Sequence, residues 1–179
     1  MINRKQKIAQ TALQLFAERG YENTSTQLIA REAGVSEALI FRHFGNKEQL
    51  LTHIIKSGYK RIVESNRGML LQGDDPRQFI YKIIDLPYKL VGEEPEFWKL
   101  QSRLLHIDIS RKQHERFMQP VHALLMSAFS ELGYERPELE TEFVLLMLEA
   151  LWKYQAVKSD DHIQEMLDFI KTKYAPAAD

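Results

Sequence analysis

Between Thr24 and Lys47 the sequence TSTQLIAREAGVSEALIFRHFGNK gathers side chains suited to gripping a polyanion. Thr24, Ser25, Thr26 and Ser36 offer hydroxyls and, at helix starts, free backbone N–H groups that suit phosphate oxygens, although plain capping would use the same groups. Arg42 can pair with a guanine edge through both arms of its guanidinium or lie along a phosphate, the commoner contact in nucleic-acid complexes. Glu37 can accept from cytosine N4 or simply favour the start of a helix. His43 suits either a phosphate or the core, and Lys47 sets a charge at another helix start. Arg4, Lys5 and Lys7 form a short basic arm or a solvated end.

Nucleophilic and metal chemistry find no comparable grouping. There is no cysteine, which excludes disulfides, thiolate metal sites and cysteine catalysis. His106, His114 and His122 follow one another at eight-residue spacing, which turns each about 80° from the last on a helix and suits a shared metal poorly. No phosphate-cradling glycine loop, nucleophile elbow or zinc-binding helix motif occurs. Glu93, Glu94 and Glu96 flank Pro95, where a helix start attracts acid in any case. No enzymatic activity, metal or cofactor is expected.

The elements that must position these groups are helical throughout. Apolar residues recur at i, i+3, i+4 and i+7 in Ile8, Ala9, Ala12, Leu13, Phe16 and Ala17, one stripe of a first helix. Asn3 with Gln6 predicts its capping box and Gly20 its exit through a left-handed conformation; Thr24 with Gln27 predicts a second cap, Ser36 a third, and Asn46 with Gln49 a fourth. The second helix should end near Gly34, the third near Phe44 and the fourth near Leu71, before a turn at Gly73 to Pro76. A fifth is expected from Pro76 to Val91, shortened or kinked by Pro87, then a sixth beyond Pro95 to about Ile109. A seventh follows from Ser110 to Leu132, bent at Pro120, an eighth from Pro137 to about Lys158 and a ninth from Asp160 to Tyr174, with a frayed tail from Ala175. About nine helices and no sustained strand alternation make this an all-α protein.

The 179 residues, 44% hydrophobic and 27% charged, fit one compact unit or a core with a small appendage. A net charge of −1 hides an asymmetry: residues 1–61 hold ten Lys/Arg against five Asp/Glu, the remainder fourteen against twenty. Scatter can produce such a difference, but it is also what a DNA-facing first third would require. The start lacks the apolar run of a signal peptide, and the longest apolar run, Phe143 to Leu148, is far short of a membrane span of roughly 18 residues. A cytoplasmic address and no membrane partner are expected.

Leu28, Ile29 and Ala33 on one short helix, Gly34 in the turn, and Val35, Leu39 or Ile40, and Phe44 on the next are what a helix-turn-helix needs, with Ala30 small at the crossing. Such a unit lays its second helix in the major groove. The stretch resembles the TetR-type (tetracycline-repressor-like) bacterial transcriptional regulators. The likeness runs through Ala-Leu-x-Leu-Phe-Ala-Glu-x-Gly-Tyr-x-x-Thr-Ser-Thr, Ile-Ala-x-x-Ala-Gly-Val-Ser and Phe-x-x-Phe-x-x-Lys-Glu-x-Leu-Leu, between about Ile8 and Leu51. The resemblance implies a three-helix DNA-binding domain over residues 1–46 and a ligand-binding and dimerisation domain over 47–179. With geometry, it directs Ser36, Glu37, Ala38, Leu39, Arg42 and His43 toward DNA, joined by Arg4, Thr24, Ser25, Thr26 and Lys47. Ala38, Leu39 and Phe41 depart from the family pattern, and Phe41 lacks the hydroxyl that would reach phosphate.

Two helix-spaced stripes on the eighth helix, one of Leu139, Phe143, Met147, Ala150 and Tyr154 and one of Val144, Leu148 and Leu151, require cover on two sides. A symmetric partner would cover one, so Phe143, Met147, Ala150, Tyr154, Ile163, Met166, Leu167 and Ile170 are the expected homodimer face. Phe79, Ile83, Leu86, Tyr88, Trp98, Leu104, His106, Phe117, Met118, His122 and Trp152 are candidates for a pocket taking a small apolar or amphipathic ligand, with His106, His122 and Tyr88 as its polar members; ordinary core is the alternative for each. The expected function is a ligand-responsive regulator, a repressor, binding a pseudo-palindromic double-stranded DNA operator as a homodimer. The alternative is a helical ligand-binding or interaction protein that has lost operator recognition, which the Ala38, Leu39 and Phe41 departures favour.

Overall fold

Short-range hydrogen bonds decide where the first helices begin and end. In the computed structural model, which describes residues 3–71, 75–157 and 162–176, Gln6 N donates to Asn3 Oδ1 at 2.8 Å and Asn3 N donates to Gln6 Oε1 at 3.1 Å. This capping box opens α1 (Arg4–Arg19), which closes at Gly20 with positive φ but extended ψ rather than in the left-handed helical region. The cap of α2 (Thr26–Ala33) is Ser25, whose Oγ accepts from Leu28 N at 3.1 Å, and not the expected Thr24. Gly34, at φ 64° and ψ 41°, makes the left-handed turn into α3 (Glu37–Phe44), while Val35 N reaches back to Ala30 O at 2.9 Å. Ser36 stands at the N-cap of α3, but its side chain makes no capping bond, contrary to expectation. Asn46 does cap α4 (Lys47–Leu71), accepting from Gln49 N at 2.8 Å.

The longer helices follow as α5 (Pro76–Glu93), α6 (Pro95–Leu104), α7 (Asp108–Glu131), α8 (Pro137–Val157) and α9 (His162–Thr172), and no strand occurs among the described residues. Helix α5 runs on through Pro87 and α7 through Pro120, so neither proline ends its helix. The sixth helix stops at Leu104 instead of Ile109; Ile107 N turns back to Leu104 O at 2.9 Å, and α7 starts at Asp108. The expected turn at Gly73 and Asp74, the break at Lys158 to Asp160 and the tail beyond Pro176 lie outside the described residues.

Helices α1, α2 and α3 pack on one another and on the start of α4 around Ile8, Ala12, Phe16, Ile29, Ala33, Ile40 and Phe44. The rest of α4 crosses into a second layer of α5 to α9. Its approach to α6 depends on Gly58: a Cβ there would sit 2.1 Å from the ring of buried Phe97. Helix α6 also packs against α1, and Arg103 Nη1 donates to Ala17 O at 3.0 Å across that junction.

The two apolar stripes of α8 divide as a two-sided helix must. Val144, Leu148 and Leu151 are buried in the core, while Leu139, Phe143, Leu146, Tyr154 and Val157 are exposed. In α9 the expectation needs correction. Ile163, Leu167 and Ile170 are buried in the chain's own core, in a helix that packs on α5, so they are not available to a partner. Met166 and Phe169 point outward instead, the latter 72% exposed.

Candidate nucleic-acid interface and effector cavity

The chain's fold assembles a groove from three short segments. Arg4 from the start of α1, Gly34, Val35 and Ser36 from the turn, and Ala38, Leu39 and Arg42 from α3 line one concavity of about 470 Å³. Ser36, Ala38 and Arg42 are exposed, so the first turns of α3 and a guanidinium on each side face solvent together. Leu39, expected on the exposed face, is only 9% exposed and belongs to the core at the groove's floor. Thr24 must also be removed from the exposed set: it is fully buried, and its hydroxyl donates to Gly20 O at 2.8 Å and Leu15 O at 3.3 Å.

Ser25 is exposed, with its oxygen turned to its own helix. Thr26 Oγ1 donates to Glu37 Oε1 at 2.5 Å, which ties the carboxylate to the neighbouring helix start and takes it away from any base edge. Lys47 Nζ lies 4.2 Å from the centroid of the Tyr21 ring, a cation–π contact that anchors the charge beside the three-helix unit. His43 is half-buried, its ring against Phe44, and Phe41 is 45% exposed at the outer surface of α3. His53 of α4 packs on Phe44 at 5.2 Å, and burial, with Lys5 nearby, lowers its pKa.

A second concavity, of about 320 Å³, opens between α5, α6, α7 and α8. Of the residues expected in a pocket, Leu86, Trp98, Phe117, Met118 and Trp152 line it. Phe79, Ile83 and Leu104 do not: they are buried in the surrounding core. Tyr88, His106 and His122 do not either; all three are exposed away from it, so the expected polar members are corrected. Its polar wall is His114 with Glu115, Glu142 and Glu149, and Pro87, Leu90, Val121, Leu145, Leu146 and Leu148 complete the apolar surface. The apolar additions continue the 3.6-residue spacing of α5, α7 and α8 and were accessible to pattern reading; His114 was not, since nothing local separates it from His106 and His122.

What selects His114 is a contact 55 residues away in sequence. Its Nδ1 lies 2.9 Å from the hydroxyl of Tyr59 on α4. Burial pushes the Tyr59 phenol far above its ordinary range, so it stays neutral. Burial also holds the His114 imidazole below its usual value, with Lys153 acting in the same direction and Glu149 and Glu115 opposing. Tyr59 packs edge-on to Phe97 at 5.2 Å and Trp98 at 6.2 Å and lies 5.1 Å from Phe117. The cavity wall and α4 are therefore in direct contact, and α4 begins at the three-helix unit.

Comparison with known proteins agrees with this geometry. Residues 8–54 match the profile of "Bacterial regulatory proteins, tetR family". The HTH-type transcriptional repressor AcnR of Corynebacterium efficiens is 26% identical over 96% of this chain and 92% of its own. The HTH-type transcriptional regulator YuxN of Bacillus subtilis is 32% identical over 56% of this chain, and the matched part spans about a third of that protein, 35% of its length. The fold is that of the transcriptional regulator FadR from Bacillus subtilis, solved in complex with stearoyl-CoA, with a TM-score of 0.75 at 15% identity over 97% of this chain and 98% of that one. The chain is similar to the TetR-type bacterial transcriptional regulators, in sequence over residues 8–54 and in fold nearly throughout.

Proposed function

We propose that this chain is a ligand-responsive repressor that holds a pseudo-palindromic operator as a homodimer. Residues 1–46 act as the DNA-binding domain and residues 47–179 as the ligand-binding and dimerisation domain. The observation that carries this is the pairing of an exposed groove, flanked by Arg4 and Arg42, with an apolar cavity whose wall touches the helix leading to that groove. Arg42 and Arg4 supply the charge, Ser36 and Ala38 lie closest to base edges, and Lys47 steadies the phosphate backbone beside Tyr21.

The outward faces of α8 and α9, with Phe143, Met147, Ala150, Tyr154, Met166 and Phe169, meet a second copy and set the separation of the two α3 helices. A small apolar or amphipathic ligand between Trp98, Phe117 and Trp152 displaces the rings against Tyr59 and so α4; Arg103, bonded to Ala17, carries the same displacement from α6 to α1. Operator release then measures only the ligand's differential affinity for the two states, typically about 1 to 3 kcal/mol. Selection from random duplexes with the full chain tests the proposal. Two inverted half-sites about 34 to 36 Å apart, centre to centre, are expected; a protein that enriches no sequence is the ligand-binding or interaction protein without operator recognition.

A further inference from the structure

Residues 3–46 carry one large side chain that their own packing does not use. Phe41 is the only exposed large hydrophobic residue of this segment, and it stands outside the core cluster that Leu39, Ile40 and Phe44 of the same helix join. At 3.6 residues per turn, Ala38 lies near the middle of the exposed arc of α3, with Phe41 about 60° to one side and Arg42 about 40° to the other. Ala38 and Arg42 line the groove, whose only charged lining residues are Arg4 and Arg42, and Phe41 is the neighbour of both on the helix surface.

Few polar side chains share this face. Glu37, the one carboxylate of α3, is half-buried, accepts from Thr26 of α2 and does not line the groove. His43 is half-buried with its ring against Phe44. Ser36 and Arg42 remain as the hydrogen-bonding side chains that α3 and its cap present beside Ala38 and Phe41. Phe41 has no hydroxyl with which to hold a phosphate, so its contact with a duplex is apolar. The major groove offers one apolar group that distinguishes base pairs, the C5-methyl of thymine, and Ala and Phe side chains are suited to contact it.

We infer that Ala38 and Phe41 read thymine: each half-site holds a T·A pair whose 5-methyl group packs on these two side chains, beside the group held by Arg42. The inference rests on the operator binding proposed above. Arg4 and Arg42 draw the duplex in, but a contact to phosphate carries no sequence information. Burial of a methyl group does, because a base pair without it loses about fourfold in affinity.

Selection from random duplexes with the full chain supplies the operator, and each of its thymines is then replaced in turn by deoxyuridine, which removes the methyl and keeps the pairing and the O4 acceptor. Replacement at the contacted position in both half-sites should weaken binding about fifteenfold, about fourfold for each methyl, and replacement elsewhere should change little. Phe41→Ala and Ala38→Ser alter exposed side chains, so both variants should fold as the parent does, which thermal unfolding checks. Their affinity for the thymine operator should fall and the ratio between thymine and uridine duplexes should shrink, whereas Phe41→Leu should keep part of that ratio and Arg42→Ala, though weaker overall, all of it. Three results overturn the inference while leaving operator binding in place: a half-site without thymine, uridine binding as tightly as thymine at every position, or a uridine penalty that survives both Phe41→Ala and Ala38→Ser. A protein that enriches no duplex loses operator binding itself, and the thymine contact with it.

Discussion

Phe169 offers the sharpest test of the assembly. Its ring is 72% exposed on α9, beside Met166, and Val157 of α8 is exposed to a similar degree. A fully buried Phe removes roughly 200 Å² from water, so about 140 Å² of this ring remains open. If a second copy covers half of that, burial at about 25 cal/mol per Å² contributes about 1.8 kcal/mol per protomer, hence about 3.5 kcal/mol per symmetric dimer. Since about 1.4 kcal/mol is tenfold in an equilibrium constant, Phe169→Ser should weaken dimerisation by more than a hundredfold. The side chain faces solvent in the single chain, so folding of the protomer should be little affected. Sedimentation equilibrium over a range of protein concentrations reads both effects: a wild-type dimer at micromolar concentration and a variant that is largely monomeric there. A variant whose dissociation constant stays within threefold of the parent, or a monomeric wild type, would refute the use of this face.

Arg42→Ala should relax base preference at one position per half-site if the guanidinium reads a guanine, whereas Lys47→Ala should weaken all sequences alike and flatten the salt dependence; competition binding against a panel of operator variants separates the two. Stability should fall with acidity below about pH 6.5. His114 and His53 resist protonation in the folded chain while their unfolded counterparts accept protons near pH 6.5, so each step down in pH favours unfolding until the folded groups titrate. Urea denaturation at pH 5.5 and 7.5 should show a smaller difference for His114→Gln than for the parent, and an equal difference would place the effect elsewhere. Gly58→Ala should destabilise by about 1 to 3 kcal/mol despite its better helix propensity, because the added carbon collides with the buried Phe97 ring; thermal unfolding showing a stabilised variant would contradict the α4–α6 packing.

Much of the fold was readable because local chemistry decided it. The Asn3–Gln6 and Asn46–Gln49 caps and the Gly34 turn are set by residues within four positions of one another. Where distant contacts decide, reading failed. The stop of α6 at Leu104 has neither Gly nor Pro to announce it; what accompanies it is tertiary, with Ser110 of the next helix buried and hydrogen-bonded to Gln101. In α9, apolar residues occur on two faces, and sequence alone could not tell that Ile163, Leu167 and Ile170 turn inward while Met166 and Phe169 turn out. Thr24 and Ser25 are adjacent capping types, and only the inward bonds of Thr24 decide between them. At the cavity, Trp98, Phe117, Met118 and Trp152 stood out by type, but the choice among three evenly spaced histidines depended on Tyr59, 55 residues away.

Salt titration of binding to a selected duplex tests the central claim most directly, because a dimer gripping DNA through Arg4, Arg42 and Lys47 must displace counterions. With about six phosphates neutralised, the logarithm of the association constant should fall with a slope of about −5 against the logarithm of salt concentration, measured by fluorescence anisotropy of the labelled operator. A slope near zero, or no binding at the lowest salt, would contradict the assignment of the groove beside α3 as a DNA-binding surface.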